Sequence, residues 1–410
     1  MMKWLQDVKM VERVFLFTVL VYFGISAFYF LGKNGGAGDE LLFINDLAFV
    51  KNHGWIAAIE KNISIPYLLF SYPFSFFLPD YVALRIANVV LTVLMFVYFY
   101  KQKEKLSFHL YLLFFVSTVG YFFSGTNDTL FFISLIVFVN EVNTLQNNKS
   151  WNGTLAFSAL FVAFFTRELV FVYFPVLMFC FYLISRNRGF SGVNYLYPFG
   201  VLLLFIALNF PSLTVNGKLS YDLKSPPAHI HATWAQRQYL AQLMVNKGEL
   251  PNYNHPTWEQ TDEYLKKNGN NSLPKSTLEG LLFDVKLTVV EFFKDFSFTV
   301  FYSFRQLGLI LIVPLFFVGK AIIKKRRADV EGMLLPLSMW VMIAVFSLII
   351  ISFVELRWLA PVFVLNILYY STLQRDNRIP NKILLLNYVI LIVFSFYGCF
   401  NLSKKIIDIL

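Results

Sequence analysis

The stretch GGAGDELLFINDLAFVKNHGW, Gly35 to Trp55, sets two adjacent carboxylates, Asp39 and Glu40, directly behind a glycine-rich hinge and the first apolar run of the chain. A carboxylate at the edge of a membrane can act as general base on an acceptor hydroxyl, if it is held in place and reached from water. Seven further ionisable residues flank or interrupt apolar runs: Arg85, Asp128, Arg167, Glu168, Arg305, Glu355 and Arg357. Arginine carries a planar fork that grips and neutralises phosphate. Carboxylates mixed with arginines therefore fit the transfer of a sugar from a lipid phosphate to a hydroxyl. No Gly-rich phosphate loop accompanies them, which argues against a nucleotide donor. His229, His231 and His255 could bind a divalent metal, but two histidines two residues apart in an irregular loop form a weak pattern, so no metal ligand is assigned, and a divalent metal stays open as a cofactor. Each charge taken singly has a structural alternative, an interfacial side chain that snorkels or pairs.

The elements that must position these residues are set by composition. Of the 410 residues 57% are hydrophobic, 19% aromatic and 15% charged, against about 25% charged in soluble domains. Continuous apolar runs of nearly bilayer length make the chain an all-α integral membrane protein, and their lack of alternation excludes a transmembrane barrel. The net charge of +10 resides mainly in short loops between apolar runs, where Lys and Arg encode topology, so no nucleic-acid partner is expected. Cys180 and Cys399 both lie in apolar runs and imply no disulfide framework. The first run, Val14 to Leu31, is too long for a cleaved signal and is expected to remain as an anchor.

Flanking Lys and Arg then give a polytopic bundle of about eleven transmembrane helices with a cytoplasmic amino terminus. Lys3, Lys9 and Arg13 precede span one. An outer loop, 32–80, follows, and span two runs from about Tyr81 to Tyr100. KQKEK, Lys101 to Lys105, is cytoplasmic. Span three, about Leu106 to Phe123, leads to the outer loop SGTNDT, and span four covers about Leu130 to Leu145. The run Thr154 to Ile184 lies between Lys149 and Arg186 with Arg188, so both of its ends read as cytoplasmic. With TRELV at its centre it is expected to be a broken hairpin whose two short helices meet near the outer surface at Arg167 and Glu168. Span seven is about Tyr195 to Phe210, span eight about Phe298 to Val318 before KAIIKKRR, span nine about Met333 to Phe353, span ten about Leu359 to Leu373 and span eleven about Ile383 to Phe400. The organisation is then an N-terminal membrane module, 1–210, a small extracytoplasmic cap, 211–297, and C-terminal membrane helices, 298–410. In this topology all nine candidate residues fall at the outer ends of their segments, which implies a polar cavity open to the outer leaflet. Asp46, further along the same outer loop, reads as a solvated face or a cap.

The ordered motifs resemble those of the C-type membrane glycosyltransferases, especially the protein mannosyltransferase and aminoarabinose transferase group. GDELLFINDLAFV is similar to that family's first outer loop, where an Asp-Glu pair follows the first span. IPYLLFSYPFSFFLPDYVALRIANVVLTVL resembles its proline-aromatic stretch and LR entry into span two, carried here by Arg85. GTNDTLFF looks like the short outer loop with an acidic residue opening span four, Asp128. FFTRELVFVYFPVL resembles the region where the family has a lysine and a glycine, with Arg167 and Glu168 in their place. VELRWLAPVFVL is similar to its late arginine-aromatic-proline motif, matched by Arg357, Trp358 and Pro361. The resemblance implies an inverting single displacement on the extracytoplasmic face, with Asp39 as catalytic base, Glu40 as its companion, and the donor phosphate held by some of Arg85, Arg167, Arg305 and Arg357. Asp128, Glu168 and Glu355 complete the candidate set. The implied partners are membrane lipids, a polyprenyl-phosphate sugar donor and a glycan, lipid or protein acceptor. A composition heavy in Lys, Asn, Ile and Phe adds the expectation of a bacterial inner membrane and an undecaprenyl-type carrier. A polysaccharide polymerase or ligase of related architecture, and a membrane transporter or lipid flippase, are the competing readings.

Overall fold

A computed structural model describes residues 8–36, 38–145, 151–187, 189–221, 226–227, 229–323 and 332–407, and the regular structure of these residues is helical throughout. The helices are α1 (Val8–Gly32), α2 (Asp39–Glu60), α3 (Ile65–Ser71), α4 (Asp80–Lys101), α5 (Leu106–Thr118), α6 (Asp128–Thr144), α7 (Thr154–Thr166), α8 (Phe174–Asn187), α9 (Leu196–Asn216), α10 (Trp234–Asn246), α11 (Trp258–Asn268), α12 (Thr277–Phe283), α13 (Val285–Leu307), α14 (Val313–Ile323), α15 (Leu334–Leu348), α16 (Ala360–Arg375) and α17 (Asn381–Ile407). Lys3, Lys149, Arg188 and the basic run Lys324 to Arg327, used above to orient the chain, lie outside the described residues.

Five helices, α1, α4, α9, α16 with the turn before it, and α17, are long and apolar enough to cross a membrane, and a sixth crossing results if α13 and α14 count as one broken span. This make-up is compatible with an integral membrane protein, because a helix satisfies its backbone within one segment where no water can. α5, α7, α8 and α15 are apolar but shorter. The 13 residues of α5 rise roughly 20 Å, against about 30 Å of hydrocarbon. Length and composition thus account for five or six crossings rather than about eleven.

Two boundaries read from the sequence are corrected. Span eight is not one run from Phe298. α13 begins at Val285, and the chain then bends by 81° across Gly308–Ile310 into α14, because the Asn387 amide oxygen accepts the Leu309 backbone N–H at 2.8 Å and holds the turn. Nor does the first membrane module end at 210. α9 continues through Pro211 and stops at Gly217.

The chain divides into two compact units, one of residues 1–222, 304–339 and 360–410, the other of 223–303 and 340–359. The second therefore includes 340–359, which the sequence had grouped with the C-terminal helices. In the first unit α1 packs along α17 and against α5, and α6 packs on α7. Rings of Phe15, Tyr111, Phe114 and Tyr388 interlock there. Tyr111 donates to Gln374 (3.0 Å), Gln374 to Tyr388 (3.0 Å) and Tyr388 to Glu12 (3.4 Å), so α1, α5, α16 and α17 share one polar tie. The second unit closes around Ile230, Tyr239, Leu240, Leu265, Leu273 and Ile350.

Candidate functional site

The hinge ahead of α2 ends at Gly38, with φ +59° and ψ −130°, a conformation that residues with a Cβ avoid. It lets the chain turn sharply from α1 into α2, so that Asp39 becomes the first residue of the helix. Asp39 is partly exposed there, whereas Glu40, about 100° further round the helix, is only 6% exposed. Glu40 shares its face with Phe43, Leu47 and Val50, all buried.

Glu40 is fixed by Arg85 of α4, itself 2% exposed. Arg85 Nε donates to Glu40 Oε1 and Nη2 to Oε2, each at 2.7 Å. Its other N–H groups point at the hinge: Nη1 donates to the carbonyls of Leu31 (3.2 Å) and Lys33, and Nη2 to that of Gly35 (2.6 Å). Gly125 adds a backbone N–H to Glu40 Oε1 at 2.8 Å. All five guanidinium N–H groups are thereby engaged inside the protein. Arg85 therefore has no donor left for a phosphate in this arrangement, and the Glu40 carboxylate is taken up by its partners.

The Gly125 loop continues the same network. Asn88 of α4 donates to the carbonyls of Ser124 and Thr126, the latter at 3.0 Å. Thr126 Oγ1 donates to Asp128 Oδ2 at 3.2 Å, and Asp128, 1% exposed at the start of α6, pairs with Arg167. Arg167 occupies extended backbone between α7 and the turn Glu168–Phe171, with its side chain 24% exposed. Asn127 Nδ2 and Ser64 Oγ both donate to the Thr166 carbonyl just before it, at 3.2 and 3.0 Å. The hydrogen-bond network therefore joins Glu40, Arg85, Asp128 and Arg167, with Asp39 at its edge. It is assembled from the ends of α2, α4, α6 and α7.

Glu168, on the same turn, has its carboxyl raised above the ordinary value by burial, partly offset by Lys218. Tyr221 lies within its field and donates to the Phe164 carbonyl at 2.7 Å. Asp46, which reads from the sequence as a solvated face or a cap, lies within α2. It is neither a cap nor fully solvated, and burial lifts its carboxyl to about 6, with Lys61 opposing. Its place seven residues after Asp39, two turns along one face, was the available signal.

Of the remaining candidates, three have described partners of their own. Arg305, in the first unit, lies over the Tyr397 ring at 5.1 Å. Glu355 and Arg357, in the second unit, pair with each other, and Trp358 packs on Phe346 at 5.5 Å. Among the described residues no group of three His, Cys, Asp or Glu side chains is placed to hold a metal. The first unit also contains an apolar cavity of about 380 Å3, lined by Phe23, Val93, Phe96, Leu113 and Phe122 among others, with His109 on its wall. Comparison with protein-family models, curated proteins and solved structures finds no match to this chain, so function must be argued from its own residues.

Proposed function

We propose that the protein is a glycosyltransferase that moves a sugar from a polyprenyl-phosphate donor to a hydroxyl-bearing acceptor on the extracytoplasmic face of a bacterial inner membrane. The reading keeps about eleven membrane passages by letting the shorter apolar helices and the Arg167 hairpin line the interior. The observation that carries it is the buried Glu40–Arg85 clamp, which fixes a partly exposed carboxylate, Asp39, next to a loop that leads through Asp128 to Arg167. In the reaction the Asp39 carboxylate takes the acceptor O–H proton. The acceptor oxygen bonds to the anomeric carbon from the face opposite the leaving group, and the bond from that carbon to the phosphate oxygen breaks. Arg167 neutralises the departing phosphate, with Arg305 as the other candidate. The apolar cavity beside α4 and α5 suits a prenyl chain, and the turn Gly120–Phe122 at its end runs directly into the Gly125 loop.

The test is mass spectrometry of envelope glycans and lipid-linked sugars from a null strain complemented with wild type or Asp39→Asn. A variant present in the membrane that leaves one sugar absent and its lipid-linked donor accumulated supports the reading and identifies the substrate. A wild-type glycan profile from Asp39→Asn refutes the assignment of the base.

A further inference from the structure

Two turns of the second unit carry the same text. HATWAQ, His231 to Gln236, and HPTWEQ, His255 to Gln260, both read His-x-Thr-Trp-x-Gln. Each opens a helix, α10 and α11, with the same capping box. The Thr233 and Thr257 hydroxyls accept the backbone N–H of Gln236 and Gln260 at 3.2 and 3.1 Å. The two Gln side chains accept the backbone N–H of those threonines in return, at 2.9 and 2.8 Å. Such reciprocal bonds satisfy the orphan donors of a helix start and fix where it begins. Arg237 of α10 then pins one start to the other. Its Nε donates to the Pro256 carbonyl at 2.6 Å, and its guanidinium lies over both indoles, 5.3 Å from Trp234 and 4.9 Å from Trp258.

Beyond this pin, α10 between 240 and 247 and α11 between 260 and 267 wall one cleft of about 260 Å3. Its floor is apolar. Leu243, Met244 and Tyr264 are half-buried, packed on the core of the unit and lining the cleft. Its rim carries the exposed Lys247, Glu249, Glu263 and Lys267, two charges of each sign. Among the described residues Lys247, Glu249 and Lys267 make no side-chain hydrogen bond or ion pair, and the Gln260 amide nitrogen and the Tyr264 hydroxyl, also on the cleft, have no partner.

Single Lys and Glu side chains on a helix surface are ordinarily solvated. Here they ring a concave apolar floor between two helices whose starts are fixed, and a preformed concavity with a few convergent polar groups is the make-up of a small-ligand site. The balance of charge sets the ligand class. A net charge of either sign is drawn by one pair and repelled by the other. A hydroxyl both donates and accepts, so neighbouring hydroxyls of one ring can donate to a Glu carboxylate and accept from a Lys ammonium. The C–H face of that ring then rests on Tyr264, Leu243 and Met244. The volume lies below the roughly 300–1,000 Å3 of sites for drug-sized ligands, which limits the occupant to a short stretch of sugar.

We propose that the α10–α11 cleft binds an uncharged saccharide. Binding there requires no transfer chemistry and does not depend on the transferase reading. The test is saturation-transfer NMR on the full chain in a detergent without a sugar headgroup. The probes are the methyl glycosides of glucose, galactose, mannose, N-acetylglucosamine and arabinose, with diglycine as a zwitterion. At least one glycoside is expected to receive saturation, most strongly at the C–H protons of one ring face. Glu263→Gln combined with Lys267→Met is expected to weaken its binding at least about tenfold, the effect of losing a hydrogen bond to a charged group, at an unchanged melting temperature. Lys247→Met, on the other wall, is expected to act in the same direction, and Lys275→Met, an exposed lysine outside the cleft, to bind as wild type does. Saturation of none of the glycosides overturns the inference. So does a glycoside signal that survives both cleft variants, which puts the sugar elsewhere on the protein. A signal from diglycine alone, lost in the same variants, overturns it as well and makes the cleft a peptide site.

Discussion

At the scale of single residues, Asp39 and Glu40 are neighbours in sequence with different surroundings, one partly exposed and one buried against Arg85, and that difference can be measured. Glu40→Ala leaves the Arg85 guanidinium buried without its counter-ion, a loss of about 3–5 kcal/mol. It should lower the melting temperature in detergent sharply and reduce the amount of folded protein. Asp39→Asn is isosteric, partly exposed and should change stability by less than about 0.5 kcal/mol, while glycan transfer stops. Equal melting temperatures for the two variants would show that the clamp does not hold the hinge. Asp46 allows a test by pH. Its folded value of about 6 lies above the unfolded value of about 3.9, so the native state binds the proton more tightly. Stability on account of Asp46 is therefore full below pH 4, falls as pH rises to 6 and stays low above it. Asp46→Asn should stabilise the protein at pH 7.5 by roughly 1 kcal/mol, discounted for partial solvation, and give no gain at pH 4. A gain that is independent of pH would assign the effect to packing.

At the scale of elements, α2 shows how local backbone shapes the candidate site. The helix is broken at Gly54, with φ +81° and ψ +171°, a region that only glycine occupies without strain. No atom lies near enough to oppose a Cβ there. Gly54→Ala should therefore cost about 1–3 kcal/mol through backbone alone, read as a lower melting temperature; an unchanged one would mean that α2 can run straight. The kink at Gly54 was not read from KNHGW, whereas α1, α4, α16 and α17 were legible as long apolar runs bounded by Lys and Arg. The break at Arg167 was legible too, because two charges interrupt an apolar run. The bend after α13 was not, since the group that holds it, Asn387, lies 78 residues from Leu309. The start of α13 was hidden for another reason. VKLTVVEFFKDFS reads as polar text until its acidic and hydroxyl residues are seen to share one face. Asp39 could be read from the sequence as a candidate base, but the saturation of Arg85 could not. Its acceptors are backbone carbonyls, which leave no mark in the residue types.

At the scale of the whole molecule, the first unit is closed by α1 and α17, the pair with the most extensive helix contact among the described residues. Lipid gives helices no hydrophobic reason to associate, so close approach and side-chain hydrogen bonds must hold such a pair. Gly398 supplies the approach. A Cβ built at that position would run into the Tyr22 ring, which is 6% exposed and cannot swing into solvent. The polar tie Glu12–Tyr388–Gln374–Tyr111 fastens the other end of the same pair. Gly398→Ala should therefore force α1 and α17 apart and destabilise by about 1–3 kcal/mol, with Gly398→Leu worse. Tyr22→Leu combined with Gly398→Ala should recover much of the loss, a positive coupling of at least about 0.5 kcal/mol in a double-mutant cycle on detergent-unfolding curves. If the two substitutions are additive, Tyr22 and Gly398 do not touch and the α1–α17 seam is misplaced. Recovery would place the hinge of the candidate site, at the end of α1, on a helix that residues from the far end of the sequence hold in position.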